Sequence, residues 1–173
     1  MHQSVHSTTE RILHWRVRSH PSIVTIRGNV DHPRWEILLF HFVKDGDLHA
    51  YLSKNKPLTN NELSSVISQL VSAILHCHVK GIAHRDIKLE NVLVDVGEAQ
   101  VAGERLLKVF LSDFGLATQS VESKSFLLGT TTYMSPEVET GSSKRGDTYS
   151  PFESDVWSLG MTLLLLITGG NRP

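Results

Sequence analysis

Asp86, Lys88 and Asn91 fall within six consecutive positions of the stretch GIAHRDIKLENVLVD, residues 81–95. A histidine, an arginine, an aspartate, a lysine, a glutamate and an asparagine crowd positions 84–91 between two apolar flanks. Charge this dense beside a core costs free energy unless it is paired or used. A carboxylate such as Asp86 accepts a proton from a hydroxyl. The side-chain carbonyl of Asn91 ligates a hard cation. Lys88 adds positive charge suited to phosphate. A second stretch, SDFGLA, sets Asp113 at the end of an apolar run, with Phe114 and Gly115 behind it. Asp113 is a further hard-cation ligand, and the glycine lets the backbone turn sharply. A base, an amide and a second carboxylate are the parts that phosphoryl transfer asks of a protein, where the work is positioning and charge neutralisation.

The elements that hold these loops are readable from periodicity. Residues 59–80 form the clearest helix. Thr59 and Glu62 fit a capping box, Leu63, Val66, Ile67, Leu70, Ile74 and Leu75 recur at helical spacing, and Gly81 stops it. Residues 7–18 read as a helix with Ser7 or Thr8 near its cap and Ile12, Leu13 and Val17 turned inward. Residues 20–30 and 34–43 read as strands around a turn at Asp31, His32 and Pro33. The run KDGDL, 44–48, breaks the pattern as a hinge or loop would. Short strands are expected at 91–95 and 106–113, flanking a polar connection that has the length of an inserted hairpin loop. Residues 141–151 are loop-like. From Glu153 the chain reads as a helix apolar on nearly all sides, hence buried, with Trp157 in the core and Gly169 and Gly170 ending it. The order predicts a two-part α+β architecture.

At 173 residues the chain is one domain or a piece of a larger one. With 40% apolar and 20% charged residues it has the composition of a soluble globular protein. A formal net charge of −1 argues against nucleic acid or an anionic membrane as partner. The single cysteine, Cys77, excludes a disulfide within the chain and fits a reducing compartment. The first 15 residues lack the apolar core of a signal peptide, and the longest apolar run, 161–167, is too short to span a bilayer. Together these features predict an intracellular protein, cytoplasmic or nuclear. His76, Cys77 and His78 are helical neighbours on different faces, which argues against a metal site there. The RGD at 145–147 reads as a solvated loop.

Singly, HRD and DFG are compatible with ordinary solvated loops. Together and in this order, HRDIKLEN at 84–91, DFG at 113–115, GTTTYMSPE at 129–137 and DVWSLG at 155–160 resemble the catalytic core of eukaryotic protein kinases of the serine/threonine type. The wording of 126–137 and 155–173 resembles a group of fungal serine/threonine kinases. The resemblance covers nearly the whole chain. It implies an incomplete two-lobe kinase fold over 1–173, with an N-lobe remnant and hinge in 1–43 and a partial, mainly helical C-lobe in 44–173. It also implies transfer of the ATP γ-phosphate to a serine or threonine hydroxyl of a protein substrate, with ATP and Mg²⁺ as cofactors.

On that resemblance Asp86 is the catalytic base, and Asn91 and Asp113 hold Mg²⁺ on the nucleotide. Lys88 contacts the transferred phosphate, and Thr130 bonds both Asp86 and Lys88. Leu89 stands where proline is commonest. His84 is a packed spine residue, and Phe114 and Gly115 belong to the metal-binding loop. Arg85 pairs with a phosphate that an upstream kinase adds to the activation segment, where Ser120, Ser123, Ser125, Thr131 and Thr132 are the candidate sites. Asp155 bonds the catalytic-loop backbone. Glu137 belongs to the SPE that replaces the usual APE. Glu10 is the helix glutamate that pairs with an ATP-binding lysine. Phe40 guards the back pocket, the backbone of His41 and Val43 meets adenine, Asp47 reaches the ribose, and Leu93 floors the adenine.

The family pattern also includes a glycine-rich loop and a strand lysine ahead of the helix glutamate. Only nine residues precede Glu10, none of them glycine or lysine, and Lys44, Lys54 and Lys56 all follow the hinge. The expectation is therefore a truncated domain that binds nucleotide weakly and turns over little by itself, with the apolar face of 161–167 short of its usual cover. A catalytically silent remnant that binds a protein partner is the alternative.

Overall fold

Thr59 caps a helix of 20 residues, and its capping box with Glu62 is complete. That helix, α3 (Asn60–Val79), organises the rest. The computed structural model describes residues 5–32, 36–55, 57–98, 105–141 and 147–169. Pro33, Trp35, Lys56, Arg145, Gly146, Gly170 and the middle of the 96–105 connection lie outside the described residues. Ahead of α3 come α1 (Val5–Val17), β1 (Ile26–Asp31), β2 (Glu36–Phe40) and α2 (Leu48–Lys54). After it come β3 (Val92–Glu98), β4 (Arg105–Leu111), α4 (Pro136–Thr140) and α5 (Pro151–Ile167). The strands form two antiparallel pairs, β1 with β2 and β3 with β4. The architecture is α+β, as the element order predicts.

Several local expectations shift. Pro21–Val24 is turn and isolated bridge rather than strand, because Ile23 pairs with Leu111 and the Val24 amide donates to the Leu111 carbonyl. The first helix begins at Val5, so Ser7 and Thr8 lie inside it. A helix follows directly on Asp47, which caps it by accepting from the Ala50 amide at 2.8 Å. Leu48, Tyr51 and Leu52 of that helix are buried at the i, i+3, i+4 spacing of an amphipathic turn. The β3–β4 ladder runs from Val92↔Leu111 to Glu98↔Arg105, so the strands continue into the polar connection.

Burial also corrects the sequence reading. Leu13 and Val17 are buried, but Ile12 is exposed. Val66, Leu70 and Ile74 are buried in α3, whereas Leu75 is 61% exposed. In α5, Trp157 is 46% exposed instead of in the core. The inward stripe of that helix is Ser154, Asp155, Ser158, Thr162, Leu165 and Leu166, which leaves Val156, Trp157 and Leu164 on the other side. Its head packs through hydrogen bonds, with Ser158 Oγ donating to the Tyr133 carbonyl at 2.7 Å.

Two apolar clusters fill the interior. One joins α2, α3, the β3–β4 hairpin and α5 through residues such as Leu52, Leu70, Val94, Val109 and Leu165. The other sets Leu13 and Val17 of α1 against Ile74, Ile87, Leu111 and Phe114. The partly buried Leu159 packs against both.

Polar contacts then pin the hairpin to α3. Gln69 donates to the Leu107 carbonyl and accepts from the Val109 amide, at 2.9 and 3.0 Å. Arg105 grips Glu62 with Nε at 2.8 Å, a terminal guanidinium nitrogen at 2.9 Å and its own amide at 3.0 Å. These bonds hold the buried Glu62 carboxyl down at about 2, led by the Arg105 side chain, while burial works the other way. The folded carboxyl thus sits below its ordinary value. Its contribution to stability is present above about pH 4.5 and fades as pH falls toward 2, and amounts to roughly 3 kcal/mol. Glu62→Gln keeps a capping-box side chain and removes the charge. Denaturant unfolding should show the native chain clearly more stable than this variant at pH 7, with the gap narrowing by pH 3. An unchanged gap would refute the assignment.

Candidate active site

Gly81, with φ of 68°, turns the chain out of α3 into a buried segment. Ala83 is fixed there by two backbone bonds to Thr118, both 2.9 Å. His84 follows, buried, with Nε2 donating to the Ser112 carbonyl at 2.9 Å and its ring 4.7 Å from that of Phe114. Arg85 adopts a left-handed backbone, φ 68°, a conformation that costs a non-glycine residue about 1 kcal/mol or more. The Arg85 amide donates to Asp155 Oδ1 and the His84 amide to Oδ2, each at 2.7 Å. The Arg85 side chain bonds the Leu116 carbonyl.

With its backbone held, Asp86 presents a carboxylate ringed by donors. Oδ2 accepts from Lys88 Nζ at 2.7 Å and from Asn91 Nδ2 at 2.9 Å. Oδ1 accepts from Thr130 Oγ1 at 3.1 Å, and that hydroxyl also lies 2.8 Å from Lys88 Nζ. Asp86, Lys88 and Thr130 therefore close a triangle, although Thr130 is 44 residues from Asp86.

Asn91 joins this triangle to the second loop. Its Nδ2 also donates to the Asp86 carbonyl at 2.8 Å, and its own carbonyl accepts from both the amide and the hydroxyl of Ser112 at 2.9 Å. Asp113 is the next residue. It is exposed and left-handed at φ 60°, and its Oδ1 takes the Gly115 amide at 3.2 Å. A side-chain carbon built on Gly115 would lie 3.1 Å from Asp113 Oδ1 and 3.8 Å from Glu10 Oε2, so both carboxylates border the same space.

The His41 amide donates to the Thr25 carbonyl at 2.8 Å, and the Val43 side chain is buried. Asp47 bridges to Leu93, while one of its carboxylate oxygens is used as the α2 cap. Phe40 is 40% exposed, with its ring 5.4 Å from that of His14. Glu137 lies exposed in the first turn of α4, away from these groups in sequence. His76, Cys77 and His78 diverge. His76 stacks near His20, Cys77 is buried, and His78 reaches Asp155.

The sequence model described as the protein kinase domain matches residues 1–172. The chain belongs to the protein kinase family. It is 35% identical to a fission-yeast protein, the negative regulator of sexual conjugation and meiosis of Schizosaccharomyces pombe, over 91% of this chain and 36% of that protein. It is 34% identical to the mitosis inducer protein kinase cdr1 of the same organism, over 91% of this chain and 25% of that one. Mouse serine/threonine-protein kinase 33 is 32% identical, over 87% of this chain and 30% of its own length. The chain thus spans about a third or less of these relatives. Its helices and small antiparallel sheets correspond to part of a two-lobe kinase fold.

Protein kinases generally use ATP and Mg²⁺, and the donor set here fits that pair. Asn91 spends its amide nitrogen on Asp86, which leaves the side-chain carbonyl oxygen, and Asp113 adds a carboxylate. Both are hard oxygen donors, and Mg²⁺ is usually held by one or two protein groups together with substrate phosphates and water. Among the described residues no cluster of three or more His, Cys, Asp or Glu forms a cage made of protein alone.

Two residues of this kinase domain escape sequence reasoning. His14 is fully buried, its Nε2 donating to the Val24 carbonyl at 2.6 Å and its ring 4.3 Å from Phe114. Burial pushes its imidazole down to about 4, so it is neutral at pH 7. Its spacing of four from Glu10 was the available signal. Gly129 has φ of 106°, and a side-chain carbon there would fall 2.8 Å from the Arg85 carbonyl oxygen and 3.5 Å from Asp86 Oδ1. Gly129→Ala should therefore cost about 1–3 kcal/mol through backbone strain and shift the NMR signals of Arg85 and Asp86. Gly28→Ala is the control, since no atom lies within 4 Å of the added carbon. Equal effects of the two substitutions on stability and spectra would sink this account.

Proposed function

We propose that this chain carries the phosphoryl-transfer site of a protein serine/threonine kinase, acting on a hydroxyl of a protein substrate. The observation that carries the reading is the Asp86–Lys88–Thr130 triangle with Asn91 bonded to the same carboxylate. Asp86 would orient the substrate hydroxyl and take its proton as that oxygen bonds the γ-phosphorus and the bond from phosphorus to the β-phosphate oxygen breaks, with ADP as the leaving group. Lys88, salt-bridged to Asp86 at 2.7 Å, brings positive charge to the oxygens of the moving phosphoryl group. Thr130 ties the activation segment to both. Asn91 and Asp113 supply the oxygens for Mg²⁺, and His41, Val43, Asp47 and Leu93 form the nucleoside side. Bound Mg²⁺–ATP supplies the γ-phosphoryl group and offsets its charge.

The same reading divides the chain into an N-lobe part, 1–43 with Glu10 and the hinge, and a C-lobe part, 44–173. Arg85 and Glu137 belong to the activation and support of the second part, and an upstream kinase acts on the segment between Ser120 and Thr132. An intracellular site of action is in keeping with it. Among the described residues no helix is long and apolar enough to cross a membrane.

Tested as the 173-residue chain by itself, the protein should bind Mg²⁺–ATP weakly and transfer phosphate slowly, because phosphates misplaced by about 1 Å lose on the order of 100-fold in rate. Thermal unfolding with and without ATP and Mg²⁺ reads the binding, and a Mg²⁺-dependent stabilisation should vanish in Asp113→Asn. Phosphate incorporation into serine, threonine and tyrosine peptides reads the chemistry. Asp86→Asn should lower transfer by about 10²–10⁴. Transfer that survives Asp86→Asn, or that favours tyrosine, would overturn the assignment.

A further inference from the structure

Tyr149 stands one residue ahead of the Ser150 cap of α5, and its side chain is buried. A buried phenol needs a partner for its hydroxyl. Here the hydroxyl donates to the Ser125 carbonyl, 24 residues away, at 3.2 Å. The ring lies 5.3 Å from that of Phe126, tilted at 46°. The backbone joins in as well. Tyr149 and Ser123 exchange both amide-to-carbonyl bonds, at 2.9 and 3.0 Å, as an isolated antiparallel bridge. At the rim the Thr148 hydroxyl donates to the Glu122 carboxylate at 3.1 Å. One residue thus meets Ser123, Ser125 and Phe126 in three different ways.

The run held in this manner leads straight to Thr130. Leu127 is left-handed at φ 58°, and Gly129 sits at φ 106°. A leucine in that conformation is strained, and it persists only where the surroundings over-determine it. Leu127 is held from both sides. The Tyr149 contacts fix Phe126 ahead of it, and its own amide donates to the Val138 carbonyl of α4 at 3.2 Å. Behind it, the Arg85 carbonyl leaves no room for a side chain on Gly129. The Ser123 hydroxyl is already used, accepting the Ser125 amide at 3.1 Å. We infer that Tyr149 is a positioning residue: its hydroxyl, ring and backbone seat residues 122–127 against the head of α5, and so hold Thr130 beside Asp86 and Lys88 without requiring a phosphate on the segment. What Thr130 does for catalysis rests on the kinase reading; the seating of the segment does not. The upstream kinase of that reading would act on a segment already in place.

The test uses the 173-residue chain, treated with a phosphatase so that serine and threonine carry no phosphate. Tyr149→Ala removes the ring and the hydroxyl. Tyr149→Phe removes the hydroxyl alone. Amide exchange measured by NMR at Ser123 and Leu127 is compared with Ala73 and Ile74 in α3, and with Ala83 and Thr118, which pair at the other end of the segment. The alanine variant should speed exchange at Ser123 and Leu127 about tenfold or more and move the Thr130 amide signal, with the reference amides unchanged. The phenylalanine variant should stay within about threefold of the native rates. Unchanged rates in Tyr149→Ala would overturn the inference. So would protection lost evenly at Ser123, Ala73 and Ala83, which would mark Tyr149 as a packing residue only. If Tyr149→Ala does not fold, Phe126→Ala removes the other half of the ring contact and is read in the same way. Protection of Ser123 and Leu127 that arises in the native chain only after a kinase has added phosphate to the segment would also overturn it. None of these readouts uses nucleotide, so a failed Asp86→Asn assay would remove the catalytic reading without touching them.

Discussion

Asn91 is the joint on which the candidate site depends. Its side-chain nitrogen binds both the backbone carbonyl and the carboxylate of Asp86, and its own carbonyl takes two donors from Ser112. One buried residue thereby links the loop that carries Asp86 to the loop that carries Asp113. The link is rigid because Asn91 stands at the foot of the β3–β4 ladder, whose first pair is Val92↔Leu111. Backbone pairing sets the distance between the strands, and both loops inherit it. Hydrogen bonds of this kind are worth little net when made, but cost the full desolvation of the orphaned group when broken. The arrangement is therefore close to all-or-none.

Around that joint the interior alternates apolar columns with satisfied polar groups. Phe40, His14, Phe114 and His84 stand in ring contact from β2 through α1 to the loop that carries Asp86. This column lets the position of α1, and with it Glu10, register at the loop bearing Asp113. On the other side Gln69 and the Glu62–Arg105 pair fasten α3 to β4. α3 thus touches the site twice, from the hairpin that carries Asn91 and from the His78 end beside Asp155. Fastening a helix to strands by buried polar contacts specifies register more sharply than apolar contact alone, because a slip leaves charges unpaired.

The chemistry-bearing residues were legible in the sequence, and the geometry that unites them was not. Asp86, Lys88 and Asn91 declare themselves within one short stretch, and Thr59, Glu62 and Gly81 mark the ends of α3 by local rules. Such signals survive because capping and helical periodicity involve partners three or four residues apart. The second helix was equally local, with Asp47 as its cap, but the hinge-like glycine beside it obscured the pattern. Other features arise only when distant segments meet. Thr130 lies 42 residues from Lys88, Arg105 lies 43 from Glu62, and His78 lies 77 from Asp155. No periodicity encodes those meetings.

The sequence by itself determined the longest helix and its ends, the order of the loops and the kinds of side chain available for chemistry. Tertiary structure decided which face of each apolar helix is buried. Leu75, Ile12 and Trp157 face outward because neighbours from other parts of the chain cover the opposite stripe. It also decided why position 129 is glycine, since the fold sets φ at 106° there and brings the Arg85 carbonyl oxygen within 2.8 Å of any side-chain carbon. The division follows from the range of the forces: conformational preference acts between near neighbours, whereas burial and close approach depend on whatever the fold brings alongside.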